Sequence, residues 1–153
     1  VIDKIPTESD WENYQEDIDC LEAYNLFEGK DTNSLTSLFV ESVGRCIDGL
    51  HFMPTKVFHY YGLAFANYVK LAETLRGLQN EDRAKAAEGL FSLVENKLHI
   101  APADLVAIYP ELIKTLNYVA QHQANYFVDH HKGVDFKSRL VIFNALAKES
   151  HII

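Results

Sequence analysis

The sequence predicts an all-α protein, a single compact helical domain of six to eight helices with a central buried helix. Three observations carry this. Apolar residues recur at helical spacing along nearly the whole chain. Gly and Pro fall where those stretches should stop. No segment alternates with period two for long enough to require a strand. With 153 residues, 48% of them apolar and 24% charged, the chain can bury a sizeable core. No internal repeat or linker divides it, so residues 1–153 read as one domain, with residues 1–8 an extended or poorly ordered lead-in.

The first helix is expected to start at Thr7 or Ser9, with acids in its first turn and Gly29 as its end. Its apolar stripe is Trp11, Tyr14, Ile18, Leu21 and Leu26. The second is capped within residues 31–34 and carries Leu35, Leu38, Phe39, Val43, Cys46 and Ile47 inward, stopping near Gly49. Met53-Pro54 marks a loop, because the residue before Pro avoids the helical region. Thr55 then caps a third helix over residues 55–76. Phe58, Tyr61, Phe65, Tyr68, Ala72 and Leu75 line one of its faces, and Tyr60, Leu63, Ala64 and Leu71 a second. A helix that is apolar on two faces is enclosed by neighbours, and this one is expected at the centre.

Asn80 caps the fourth helix, which runs through Ala84, Ala87, Leu90, Phe91 and Val94 to about Leu98. A break at Ile100-Ala101-Pro102 leads to a short helical turn over residues 103–108. Pro110 suits the first turn of a longer helix continuing through Leu116, Val119, Gln123 and Phe127 toward Gly133. Asp135 caps the last helix, with Phe136, Leu140, Phe143, Leu146 and Ala147 inward.

Several function classes are disfavoured. No apolar run approaches the roughly 20 residues that span a bilayer, so no membrane role is expected. Residues 1–6 lack the basic start and apolar stretch of a signal peptide, and the expected location is cytoplasmic. Val1 is not an initiator Met, which leaves a removed leader open. Cys20 and Cys46 are too few for a disulfide scaffold. They read as free thiols, with a Cys20–Cys46 bridge as the alternative. His122 and His130 are two helical turns apart, too far for one ion, and His131 points elsewhere. Neither these nor Asp129 predicts a metal. No nucleophile elbow, phosphate loop or metalloprotease helix occurs, so no catalytic residue, no cofactor and no enzymatic activity are expected. Lys132, Lys137, Arg139 and Lys148 do not form the clustered basic footprint of a nucleic-acid binder.

The charge is the informative feature. Residues 1–50 hold twelve carboxylates against Lys4, Lys30 and Arg45, a net of −9, whereas the rest of the chain is close to neutral. A field confined to one segment steers a cationic partner toward a defined patch. On a continuous first helix Glu12, Glu16 and Asp19 would stack along one side, with Asp10 and Asp17 on an adjoining strip. Like charges at that spacing oppose the helix by a few tenths of a kcal/mol per pair, a strain that a basic partner would relieve. Trp11 and Tyr14 are of the residue types that anchor interfaces. The expected partner-binding residues are therefore Asp10, Trp11, Glu12, Tyr14, Glu16, Asp17 and Asp19. The alternative is a helical ligand-binding or enzymatic domain with a cavity lined by Tyr60, Tyr61 and Tyr68.

The order of features also resembles a known group. An acid-rich opening leads to Tyr24-Asn25-Leu26-Phe27-Glu28-Gly29-Lys30, then Met53-Pro54, then Phe58-His59-Tyr60-Tyr61 opening a long helix. Over residues 10–75 this pattern is similar to small bacterial helical proteins of the toxin-immunity type, which neutralise polymorphic or contact-dependent toxins. The resemblance implies an acidic cytoplasmic binder of a basic toxin domain. It carries over no individual residue.

Overall fold

The computed structural model describes residues 4–126 and 135–153. Phe127, Asp129, His130, His131, Lys132 and Gly133, named above, lie outside those residues. Among the described residues the protein is all-helical, with six α-helices and no strand. They are α1 (Ile18–Phe27), α2 (Thr32–His51), α3 (Thr55–Ala72), α4 (Asn80–Ile100), α5 (Tyr109–Gln121) and α6 (Phe136–Glu149). Short 3-10 turns cover Glu8–Trp11, Tyr14–Glu16, Pro102–Asp104 and Gln123–Asn125.

Helix α3 lies at the centre, as its two apolar faces require. Eleven of its eighteen residues are buried, and it packs on α2, α4 and α5. Tyr61 is fully buried and donates its hydroxyl to the Phe27 carbonyl at 2.8 Å, tying α3 to the end of α1. Around it α1 lies on α2, α2 on α4, and α6 closes the bundle against α4 and α5. The α2–α4 crossing is close: a Cβ added at Gly89 would stand 2.2 Å from Ile47 Cδ1. Capping follows the sequence at two helices, since Asp31 accepts from the Ser34 N–H (2.8 Å) and Asp135 from the Ser138 N–H (2.7 Å).

The largest departure lies at the N-terminus. A single helix from Thr7 or Ser9 to Gly29 does not form, and α1 begins only at Ile18. Glu12 stands at φ 54°, ψ −127°, which no helix accommodates. Asp17 is extended and its carboxylate accepts from the N–H groups of Asp19 (2.9 Å) and Cys20 (3.0 Å), so it caps α1 from outside. Short polar side chains compete with helical hydrogen bonds in this way. The break also serves the core. Tyr24 receives Trp11 edge-on (centroids 5.3 Å apart) and Tyr14 stacked at 3.9 Å, while Ile18, expected in the same stripe, is 73% exposed.

Smaller corrections follow the same logic of competing partners. Thr55 does not cap α3, because its hydroxyl donates to Asp104. Asn80 lies inside α4, with Gln79 at the cap, and its side chain accepts from Arg83. Helix α3 stops at Ala72, short of residue 76. The Arg83 guanidinium then binds the carbonyls of Ala72 (2.7 Å) and Leu75 (3.0 Å). Helix α5 ends at Gln121, where the His122 N–H turns back to the Tyr118 and Val119 carbonyls.

Candidate functional site

The N-terminal carboxylates divide into two groups. Asp10 accepts from the Thr7 N–H (2.8 Å) and pairs with Lys56 Nζ at 2.8 Å. Lys56 first, and the Thr7 amide next, hold its carboxyl below the ordinary carboxylate range. Asp17 is the α1 cap, and Glu8 accepts from the Tyr14 hydroxyl (2.9 Å). These three are occupied within the fold. Glu12, Glu16 and Asp19 are exposed, and their carboxylates take part in none of the described hydrogen bonds or ion pairs. They do not stack along a helix, since only Asp19 belongs to α1. Instead Glu12 and Glu16 line an open acidic hollow with Glu8, Asn13, Tyr14 and Gln15.

Trp11 and Tyr14 are core residues. Trp11 is 1% exposed, and its indole N–H is buried without a hydrogen-bond partner. Neither ring is presented to a partner at the surface.

A second acidic feature follows directly along α1. Asp19 and Glu22 of α1 and Arg45 and Asp48 of α2 line a small cleft of about 80 Å³ together with Ala23, Leu26, Gly49 and Phe52. Among the described residues none of its three carboxylates, nor Arg45, forms an ion pair within 4.0 Å. Sequence reading missed this cleft because it needs the antiparallel register of two helices. The matching one-turn spacings Asp19–Glu22–Ala23–Leu26 and Arg45–Asp48–Gly49–Phe52 were its visible trace.

The remaining polar clusters hold the fold together. Glu73 accepts from the Tyr118 hydroxyl and from Asn125 Nδ2 (2.6 Å), and Tyr118 is the main reason its carboxyl sits below the usual range. A carboxylate fixed in its ionised form by two donors is badly placed for general-acid work. Lys97, 4% exposed, is paired with Asp104 at 2.6 Å and lies over the Phe58 ring at 4.7 Å. His59 Nε2 donates to the Asp104 carbonyl (2.9 Å), and Asn96 donates to His51 Nδ1 (3.1 Å).

His122 stacks on Tyr118, and among the described residues no group of three or more His, Cys, Asp or Glu could hold a metal ion. Cys20 and Cys46 are both free and buried, and burial pushes the Cys46 thiol up to about 12, which leaves it unreactive. Tyr60, Tyr61 and Tyr68 are buried, with Tyr61 against Phe27 and Tyr60, and Tyr68 against Phe39 and Phe65. No helix among the described residues is long and apolar enough to cross a membrane.

Comparison with protein-family models, with curated proteins and with solved structures gave no match.

Proposed function

We propose that this chain is an acidic protein-binding module of the immunity type, a stoichiometric inhibitor of a cationic bacterial toxin, with a nuclease the best-suited target. One observation carries the reading. Glu12, Glu16 and Asp19 lie exposed on the most acidic third of the chain without internal partners. Among the described residues the only ion pair made by an acid of residues 4–50 is Asp10 with Lys56. Carboxylates left free in this way can occupy phosphate positions on a basic enzyme and speed its encounter. The expected location, cytoplasmic, is that of an inhibitor meeting an incoming or self-made toxin.

The test is association kinetics with the basic protein that co-purifies from the native source. Reversal of Glu12, Glu16 and Asp19 to Lys should leave folding nearly unchanged, since exposed charges contribute little to stability. It should slow association by roughly tenfold or more at low salt, the two proteins converging as salt screens the field. Equal rates across all salt concentrations would reduce the acidic segment to a solvated face.

A further inference from the structure

We propose that residues 4–16 form a strap that opens as a unit while α1–α6 stay folded, and that opening turns Trp11 and Tyr14 outward beside Glu12 and Glu16. The opening is a property of this chain alone, and its use by a partner rests on the proposed function.

The strap is lightly attached. Of residues 4–16 only Pro6, Trp11 and Tyr14 are buried. Its backbone hydrogen bonds close on itself, from the N–H groups of Asp10 to Thr7, Glu12 to Ser9 and Glu16 to Asn13. The side-chain bonds of Asp10 with Thr7 and of Glu8 with Tyr14 are equally local. Trp11 holds it to the helices by lying against Tyr24 and Tyr61 (centroids 5.3 and 6.2 Å), and Tyr14 by stacking on Tyr24. The Asp10–Lys56 pair adds little, because that lysine side chain is 69% exposed. Segments with few buried contacts and solvent-exposed hydrogen bonds open more readily than the whole domain unfolds.

The closed form also carries two costs that opening removes. Glu12 stands at φ 54°, ψ −127°, a region open to Gly and strained for other residues. The Trp11 indole N–H is buried with no hydrogen-bond partner, a loss that water makes good once the ring is exposed. Both costs follow from one bend. A straight helix through residue 12 would carry Tyr14 about 15 Å along the axis from Tyr24, so only the turn at Glu12 lets the rings stack. Strain of this kind persists where the surroundings over-determine it, and it clusters in switch regions. The aromatic contacts supply that restraint here.

The consequence concerns the acidic surface. Closed, it presents Glu12 and Glu16 without an aromatic anchor. Open, it offers a cationic partner Trp11 and Tyr14, residue types that dominate interface energetics. A partner that takes the open form draws the equilibrium toward it, with an apparent affinity reduced by the open fraction.

Trp11 is the sole tryptophan, so its indole N–H gives one signal in the ¹⁵N-labelled full chain. Its hydrogen-exchange protection is compared, at several low urea concentrations, with that of the backbone amides of Phe65 and Tyr68 in α3. Indole protection should be lower by about tenfold or more, with a smaller urea dependence, because strap opening exposes less surface than unfolding. Glu12→Gly should raise indole protection about fivefold by relieving the closed form, and Glu12→Ala should not. In the association experiment above, Glu12→Gly should weaken partner binding by the same factor relative to Glu12→Ala.

An indole as protected as the α3 amides, with the same urea dependence, would overturn the strap, since Trp11 would then be freed only by global unfolding. Equal protection in the Gly and Ala variants would overturn it too, because water would reach the indole without the strap moving. Exchange as expected but equal partner binding by the two variants would overturn the role of opening in recognition. None of these outcomes touches the charge-reversal kinetics, which test the acidic-surface reading separately.

Discussion

Replacing Lys97 by Met is the sharpest test of how this bundle is held. The Lys97 ammonium is almost wholly enclosed, 2.6 Å from an Asp104 carboxylate whose side chain is 13% exposed. Met keeps most of the hydrocarbon stem, so the loss is mainly electrostatic. Breaking a buried ion pair costs about 3–5 kcal/mol, because the surviving charge is left desolvated and alone. Here the lower end applies. Asp104 retains some water and the Thr55 hydroxyl, while the lost contact with Phe58 adds about 0.5–1 kcal/mol. The working figure is about 3 kcal/mol.

For a domain of this size that corresponds to a drop in Tm of roughly 6–12 °C. In urea, with a slope of about 2 kcal/mol/M, the midpoint should fall by about 1.5 M. Asp104→Ala should cost at least as much, since the charge it strands on Lys97 is the deeper one. The double variant Lys97→Met/Asp104→Leu should recover most of the loss, because an apolar pair pays no desolvation penalty. A Lys97→Met protein within about 0.5 kcal/mol of wild type would refute the reasoning, since only surface changes stay that small.

Two further outcomes follow from the geometry. Glu12→Gly should raise the urea midpoint by the equivalent of about 1 kcal/mol, because Gly relieves a backbone conformation that strains other residues by about 1–3 kcal/mol. Glu12→Ala, which removes the same charge but keeps the strain, should not; equal gains would point to charge instead. Burial first, and then the neighbouring Lys97 ammonium, depress the pKa of His51 below its ordinary 6.5, against a smaller opposing effect of Asp48. The unfolded chain therefore takes up this proton first as pH falls, so stability should hold above about pH 6.5 and decline below it. His51→Gln should flatten that decline, leaving the separate losses from Asp10, Asp31, Glu73 and Asp135 at lower pH. A wild-type and variant pair with identical stability-against-pH curves between 5 and 7 (about the His range) would sink this assignment.

The helical class and the central place of α3 were legible because both depend on periodicity, which local sequence carries. Phe58, Tyr61, Phe65 and Tyr68 must share a face whatever packs on them, and all four are buried. The N-terminus was misread for a related reason. Trp11, Tyr14 and Ile18 have helical spacing, yet the Asp17 carboxylate binds two backbone N–H groups better than a helix through that position would allow. Periodicity says nothing about such competition. Arg83, Asp104 and Glu73 were invisible as organising residues because their partners lie elsewhere in the chain. The Asp104 contacts with Lys97, Thr55 and His59 join α4, the Pro102–Asp104 turn and α3. The α1–α2 cleft was hidden in the same way, since its walls come from two helices whose relative register is a tertiary property.

Among the described residues the ion pairs are unevenly distributed along the chain. Beyond residue 50 several opposite charges pair: Lys97 with Asp104, Lys114 with Glu111, and Arg139 with both Glu88 and Glu95. Arg139, one of the bases that might have formed a cationic patch, is thereby withdrawn from the surface field. Among the described residues the N-terminal third makes one ion pair, Asp10 with Lys56, and leaves Glu12, Glu16, Asp19, Glu22 and Asp48 exposed without one. Uncompensated like charges destabilise the compact state, a cost that the proposed cationic partner would offset. The acids that the fold does use, Asp10, Asp17 and Asp31, are each held by backbone N–H groups. Asp19, Glu22 and Asp48, which it does not use, line the cleft between α1 and α2 together with Phe52. The proposed cationic partner would meet exposed carboxylates both on residues 12–19 and at this cleft, so association kinetics with charge-reversed variants is the measurement on which that proposal stands.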